Sequence, residues 1–377
     1  MLNRKTFKNL DHTLIVAVAL LLILGLLVLS SATLHASSDQ WYYVKRQAVR
    51  IGIGLILVLL VLRIDYSLAQ RYSRLLYSFN LLFLFSVLVL GKAAKGSQAW
   101  LKLGEMVIQP SELAKIIIIV TLAAFLVKRE RLETFRDLIP VFLYVGAPLV
   151  LILLQPDLGT ALVYLAITLG MVFVAGARPA LLLKLLGAGG LVVFLALFAH
   201  FKWGLPLPLE DYQLKRLVVF INPYLDGRGG RGAGWHIIQS LVAVGSGGFW
   251  GKGLFQGTQV QGSFLPEQHT DFIFAVVGEE LGFIGAAFTL LLYFVLLYRT
   301  LYIAQQARES YGTLIAVGIC SMWGFHVLEN IGMSIGIMPI TGIPLPFLSY
   351  GGSAMLANLL AVGILLNINL RRQKILF

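Results

Sequence analysis

The sequence is short of charge and nearly without cysteine. Asp, Glu, Lys and Arg make up only 13% of its 377 residues, and the one thiol, Cys320, lies inside an apolar stretch. A single cysteine excludes internal disulfides and cysteine-rich metal centres and leaves the redox compartment open. Neither HExxH nor CxxC occurs, which argues against zinc, and no GxxxxGK[ST] loop is present to cradle a nucleoside triphosphate. Nothing in the chain points to nucleic acid.

What the sequence has is apolar length. Hydrophobic residues form 58% of it and the mean hydropathy is +0.84, far from the balance of soluble domains. Crossing a bilayer takes about 20 apolar residues in a helix. Ten segments qualify as expected spans: 13–32, 50–63, 74–91, 112–127, 138–154, 158–175, 180–200, 281–298, 312–334 and 351–368. The expected fold is therefore an all-α polytopic membrane protein of about ten transmembrane helices, a single domain over 1–377. The first run follows Arg4, Lys5 and Lys8 and lacks a small-residue cleavage site, so it reads as a retained span, not a cleaved signal.

The net charge of +12 sets an orientation. With both termini inside, seventeen Lys and Arg residues fall on inner segments against six on the short outer loops, which is the positive-inside pattern. The basic excess is first a topology signal and second an attraction to anionic lipid. The long loop at 201–270, between the seventh and eighth spans, is then extracytoplasmic. Its YQLKRLVVFINPYL portion reads as an amphipathic helix on the membrane, and GRGGRGAGWHIIQSLVAVGSGGFWGKG reads as too glycine-rich for one rigid helix. A loop of this length in a compact protein is usually functional or disordered.

Charge beside hydrocarbon must be paired, solvated or used, which directs attention to PEQHTDFIFAVVGEEL at 266–281. Asp271 stands just before an apolar run, where partial desolvation makes a carboxylate more basic; it is a candidate base or, more plainly, a helix cap. Glu267 and His269 can share a proton or orient a hydroxyl, or simply sit wetted in the loop. Glu279 and Glu280 are expected to face different sides of the helix they enter.

Even-numbered helices run from outside to inside, so four helix N-termini point outward, and such ends favour anions. Gln109-Pro110-Ser111-Glu112 and Gln155-Pro156-Asp157 are two of those starts. Glu112 and Lys115, at i,i+3, share a helix face and pair with each other, or place Lys115 near a pyrophosphate. Asp157 caps its helix or joins that polar centre. In the long loop Arg216 is the strongest phosphate clamp among Lys215, Arg216, Arg228 and Arg231. His326, Glu329 and Asn330 are spaced to touch one another within the bundle. Outside the membrane no nucleotide is at hand, so a synthetic reaction there needs a preactivated donor. A lipid-linked pyrophosphate sugar fits, with a base for the acceptor hydroxyl and cations for the leaving group. A magnesium-like divalent cation held by carboxylate and pyrophosphate oxygens stays open; no organic cofactor is implied.

Four stretches, QPSELAK at 109–115, QPDLGTAL at 155–162, LPEQHTDFIFAVVGEELG at 265–282 and PITGIPLPFLSYGGSAM at 339–355, resemble the SEDS family, and within it the RodA-like members. Ala354 departs from a common second serine in the last motif. The resemblance implies a peptidoglycan glycosyltransferase that polymerises lipid II at the outer face of the bacterial cytoplasmic (inner) membrane during cell elongation and shape maintenance, by inverting transfer with undecaprenyl pyrophosphate leaving. It also implies a catalytic role at Asp271 and a polar cavity at Glu112, Lys115 and Asp157. The implied partners are a class B penicillin-binding protein, which is a transpeptidase, and other membrane proteins of the elongation complex. A lipid II flippase, a division polymerase of the FtsW-like kind and a non-catalytic scaffold are the competing expectations.

Overall fold

The computed structural model describes residues 10–35, 39–94, 97–103, 106–129, 132–207, 210–225, 229–232 and 234–372. Arg4, Lys5, Lys8, Lys95, Arg131, Arg228 and Lys374 lie outside them. Each expected span coincides with a helix: α1 (His12–Ala32), α2 (Tyr42–Arg63), after the short α3 (Ser67–Arg71), α4 (Ser73–Leu90), α5 (Pro110–Leu126), α6 (Phe135–Leu153), α7 (Leu158–Val174), α8 (Pro179–Trp203), α12 (Ile273–Gln306), α13 (Ser310–Ser334) and α14 (Gly352–Leu370). Seven of these, α1, α4, α6, α8, α12, α13 and α14, are long and apolar enough to cross a membrane unaided. The exceptions have local causes. Lys45, Arg46 and Arg50 enter α2, whereas α5 and α7 stop at 17 residues each.

The chain is mainly but not wholly helical. Between α4 and α5 it forms three short antiparallel strands, β1 (Lys92–Ala94), β2 (Ser97–Leu103) and β3 (Met106–Ile108), in the order β1-β2-β3, with Lys92 opposite Trp100 and Leu101 opposite Ile108. Trp100, Val107 and Ile108 are strand formers, and the segment is too short of apolar length to be another span.

The segment expected as one long outer loop contains α9 (Asp211–Ile221), a 3₁₀ turn at Pro223–Leu225, α10 (Trp235–Gly247) and the single-turn α11 (Thr258–Gln261). The amphipathic helix is present as α9. As expected, the glycine-rich stretch 227–253 is not one rigid helix: among its described residues only Trp235–Gly247 is helical, as α10. Its apolar run WHIIQSLVAV is uninterrupted, and Gly247 lets α10 close onto α12, since a Cβ there would collide with the carbonyl of Gly278.

The helix α12 also begins earlier than expected, at Ile273 rather than 281, and is broken at Gly282 (φ 65°, ψ −161°), a conformation that needs glycine. Glu279 and Glu280 are tolerated before that break because each carboxylate accepts hydrogen bonds from protein, although Glu280 Oε2 has no partner. Glu279 is fully buried and accepts from Lys252 Nζ at 2.7 Å, Gln259 N–H at 2.9 Å and Val260 N–H at 3.1 Å. Glu280 accepts from the Ser31 hydroxyl at 2.6 Å. The two carboxylates do not face different sides as expected: both approach Gly257, where a Cβ would lie 2.8 Å from Glu279 Oε2 and 3.1 Å from Glu280 Oε1, and the carbonyls behind them take the N–H groups of Lys252 and Gly253. Segment 251–260 is thereby tied to the bundle.

The buried centre is α13 and α14. The first packs on α12, α7 and α5, the second on α2 and α5. The helix α8 is the opposite case, with side chains from Leu183 to Trp203 largely exposed. Arg299 fastens the start of the chain by a two-pronged pair with Asp11, at 3.0 and 2.5 Å.

Candidate active site

The turn before α12 builds the first part of the site. Glu267 adopts a positive φ of 51°, and its carbonyl accepts the N–H groups of Thr270, Asp271 and Phe272 at 3.1, 3.0 and 3.2 Å. The cap position of α12 belongs to Phe272, one residue after Asp271. The turn is held from behind by the segment preceding α14. Ser349 donates to the Thr270 carbonyl at 2.6 Å, and Tyr350 N–H donates to the His269 carbonyl at 2.9 Å. Asn330 of α13 then joins the two pieces, donating to the carbonyls of Asp271 and Ile343 at 2.8 Å each.

The second part comes from α9. Tyr212 donates to the carbonyl of Pro156 at 2.8 Å, laying α9 across the start of α7, and Arg216 donates to the carbonyl of Ile340 at 3.3 Å. Gly342 (φ 77°) lies beside both the acid and the cation: a Cβ at this residue would sit 3.2 Å from Asp271 Oδ2 and 3.9 Å from Arg216 Nη1. A side chain at position 342 would crowd the carboxylate. His236 of α10 lies near the same charges. Burial and, after it, the Arg216 guanidinium hold its imidazole below the usual value of 6.5, while Glu267 pulls the other way. His269, in contrast, turns its ring to aromatic neighbours, 5.1 Å from Tyr43 and 5.9 Å from Tyr350.

The third part is a polar centre at the starts of α5 and α7. Asp157 caps α7, accepting from Thr160 N–H at 2.9 Å and the Thr160 hydroxyl at 2.8 Å. It also takes bonds from Gln109 and Ser111, both at 3.3 Å, while Gln109 N–H donates to the Ser353 hydroxyl at the head of α14 at 2.8 Å. Beneath, Lys115 Nζ donates to Glu112 Oε1 at 2.8 Å and to His326 Nε2 at 3.1 Å. An ammonium has no acceptor to offer, so the imidazole accepts at Nε2, and its buried Nδ1 has no partner. Glu112 and Lys115 are 4% and 1% exposed, a sealed pair beneath the mouth of the site. Gly159 connects this centre to the first, because a Cβ there would meet the Thr341 carbonyl at 3.2 Å.

The expected contacts among His326, Glu329 and Asn330 do not form. The three share a face of α13, but that face meets three different elements: His326 reaches Lys115, Glu329 accepts from the Thr341 hydroxyl at 2.8 Å, and Asn330 holds Asp271. Lys215 and Arg231 are exposed, and Arg228 lies outside the described residues. Among the described residues no three His, Cys, Asp or Glu side chains converge to hold a metal ion. Sequence reading passed over Gly342, Thr341 and His236. The only signal for Thr341 and Gly342 was their place in the 339–355 stretch, and for His236 its place in the long loop.

Taken together, a bundle of apolar helices with an aspartate, an arginine and a capped polar centre gathered at one end defines a polytopic membrane protein with an ionisable site at its mouth. The chain belongs to the FtsW/RodA/SpoVE family of cell cycle proteins, whose model matches residues 11–374. It is 41% identical to stage V sporulation protein E of Bacillus subtilis (strain 168), covering 95% of this chain and 96% of that one. To the peptidoglycan glycosyltransferase MrdB of Escherichia coli (strain K12) it is 37% identical, covering 98% and 97%. Among solved structures it resembles a chain of a peptidoglycan synthase complex described as coordinating polymerization and crosslinking, with a TM-score of 0.78 at 32% identity over 96% of this chain and 97% of that one. The rod shape determining protein RodA of Thermus thermophilus aligns with a TM-score of 0.70 at 32% identity, over 97% and 98%.

Proposed function

We propose that this chain is a peptidoglycan glycosyltransferase that polymerises lipid II at the outer face of the bacterial cytoplasmic membrane, with ten crossings and both termini inside. The observation that carries this reading is the nearness of Asp271 Oδ2 and Arg216 Nη1 to one point, the Cβ position beside Gly342, in a chain of this family. Asp271 takes the proton of the acceptor sugar hydroxyl as that oxygen attacks the anomeric carbon of the donor. The new C–O bond forms as the bond from the anomeric carbon to the pyrophosphate breaks, with inversion, and the lipid pyrophosphate departs with the electron pair. Arg216 stands where it can meet that developing negative charge. Lys115, sealed with Glu112 and His326, fixes the floor and contributes charge from below. Glu267 and His269 shape the turn, and Asp157 sets the neighbouring helix start. A divalent cation in this scheme belongs with the pyrophosphate of the substrate, and no step is routed through it.

The physiological role we assign is elongation and shape maintenance, as for RodA-like members, in a complex with a class B penicillin-binding protein. Labelled lipid II given to the purified protein, with and without that partner, tests the activity: glycan strands are expected, and their complete absence in both samples contradicts it. Translocation of lipid II across liposomes without chain growth would instead support the flippase reading, which draws on the buried Glu112, Lys115, His326 and Glu329.

A further inference from the structure

We propose that the far end of α5 carries a binding site for a phosphate-bearing anion, supplied as the headgroup of an anionic membrane phospholipid. A cavity of about 510 Å³ opens among the start of α4, the end of α5 and Tyr144 in the middle of α6. Arg74 comes to its rim from α4, and Lys128 and Arg129 from the turn that follows α5. Its wall is aromatic: the ring of Tyr144 stacks on Tyr77 at 4.1 Å and on Phe125 at 4.5 Å. Ser73, Ser78 and Thr121 add hydroxyls to the lining. The site is separate from the candidate active site, since Glu112 and Phe125 stand about 20 Å apart along α5 at the helical rise of about 1.5 Å per residue.

Cations at helix ends on this face follow from topology alone, so their presence is not the argument. Their convergence without an ion pair among the described residues is, although Arg129 also lies over the Phe125 ring at 4.7 Å. Among the described residues no acidic side chain lines the recess, and no ion pair engages Arg74, Lys128 or Arg129. The neighbouring acids are already occupied. Asp137 feels the charge of Arg129 but accepts from Glu133 N–H at 3.1 Å and from Thr134 N–H and its hydroxyl at 2.8 Å each. Glu133 pairs with Arg178 at 2.6 Å. Three like charges around one recess repel one another, and an anion between them turns that repulsion into attraction.

A phospholipid suits the surroundings better than a free ion. Next to the recess, α4 exposes Leu75, Phe79 and Leu82, and α6 exposes Ile139 and Leu143, an apolar flank along which acyl chains can lie while the phosphate meets the cations and the hydroxyls.

Native mass spectrometry of the full-length protein in detergent tests this with phosphatidylglycerol, phosphatidylcholine of the same chains, and inorganic phosphate. Wild type is expected to retain phosphatidylglycerol over phosphatidylcholine by about tenfold or more, and Arg74→Gln and Arg129→Gln are each expected to lower that retention about fivefold. Arg71→Gln, whose guanidinium lies over Tyr72 outside the recess, retains the lipid as wild type does and controls for general loss of charge. Millimolar inorganic phosphate that displaces the lipid keeps the anion site but overturns its lipid source, whereas no displacement supports that source. Equal retention of the two lipids, or unchanged retention in Arg74→Gln and Arg129→Gln variants that unfold at the wild-type temperature, overturns the site.

Discussion

A Cβ on Gly342 would lie 3.2 Å from Asp271 Oδ2, at the edge of ordinary contact, and this residue has a φ of 77°. Gly342→Ala therefore imposes both a left-handed backbone on a non-glycine residue, at a cost of about 1–2 kcal/mol, and a methyl group crowded against the Asp271 carboxylate and near Arg216. Turnover in a lipid II polymerisation assay is expected to fall about tenfold or more, a misplacement effect, with a drop of a few degrees in unfolding temperature. Wild-type turnover in this variant would mean that the space beside Asp271 is not where reaction occurs.

Asn330 bonds at once to the carbonyls of Asp271 and Ile343. Asn330→Ala leaves two carbonyls without that donor and costs about 1–3 kcal/mol. Because the tie sets the position of the Asp271 backbone, kcat is expected to fall more than KM rises. An equal change in both constants, or a stability loss with normal kcat, would limit Asn330 to holding the fold.

Glu279 gathers Lys252, Gln259 and Val260 around one buried carboxylate. Glu279→Ala leaves the Lys252 ammonium and two N–H groups uncompensated and is expected to cost about 3–5 kcal/mol. Limited proteolysis should then cut within 251–262 well before the helices. Protection equal to wild type would show that segment 251–260 is held by other contacts.

His236 gives the site a pH signature. Burial and Arg216 hold its folded imidazole below 6.5, so the unfolded chain takes up the proton first. Stability is whole above 6.5 and is lost as pH falls below it, until the folded imidazole itself protonates. His236→Gln should flatten that decline in unfolding temperature. A decline of the same depth in the variant would assign it to other groups.

What was legible in the sequence was local. Glu112 and Lys115 form an i,i+3 pair, and the Asp157 cap follows from a proline-acid start, since both depend on residues a single turn apart. Asp271 stood out because a carboxylate beside an apolar run has few explanations. What was not legible depends on distant segments: Arg216 reaching Ile340, Asn330 reaching Asp271, and His326 turning to Lys115 rather than to Glu329. The onset of α12 was set too late because Glu279 and Glu280 weigh against membrane helix when their partners, Lys252 and Ser31, are unseen. The helix α10 was missed because its flanking glycines look like breakers, although Gly247 is there for close approach to Gly278.

Asp271→Asn tests the central claim most directly. The substitution keeps size and shape, so the variant should fold with an unfolding temperature near that of wild type. With labelled lipid II in liposomes, strand formation is expected to fall by about a hundredfold or more, the range for losing a general base. Retained polymerisation in a correctly folded Asp271→Asn protein would contradict the account.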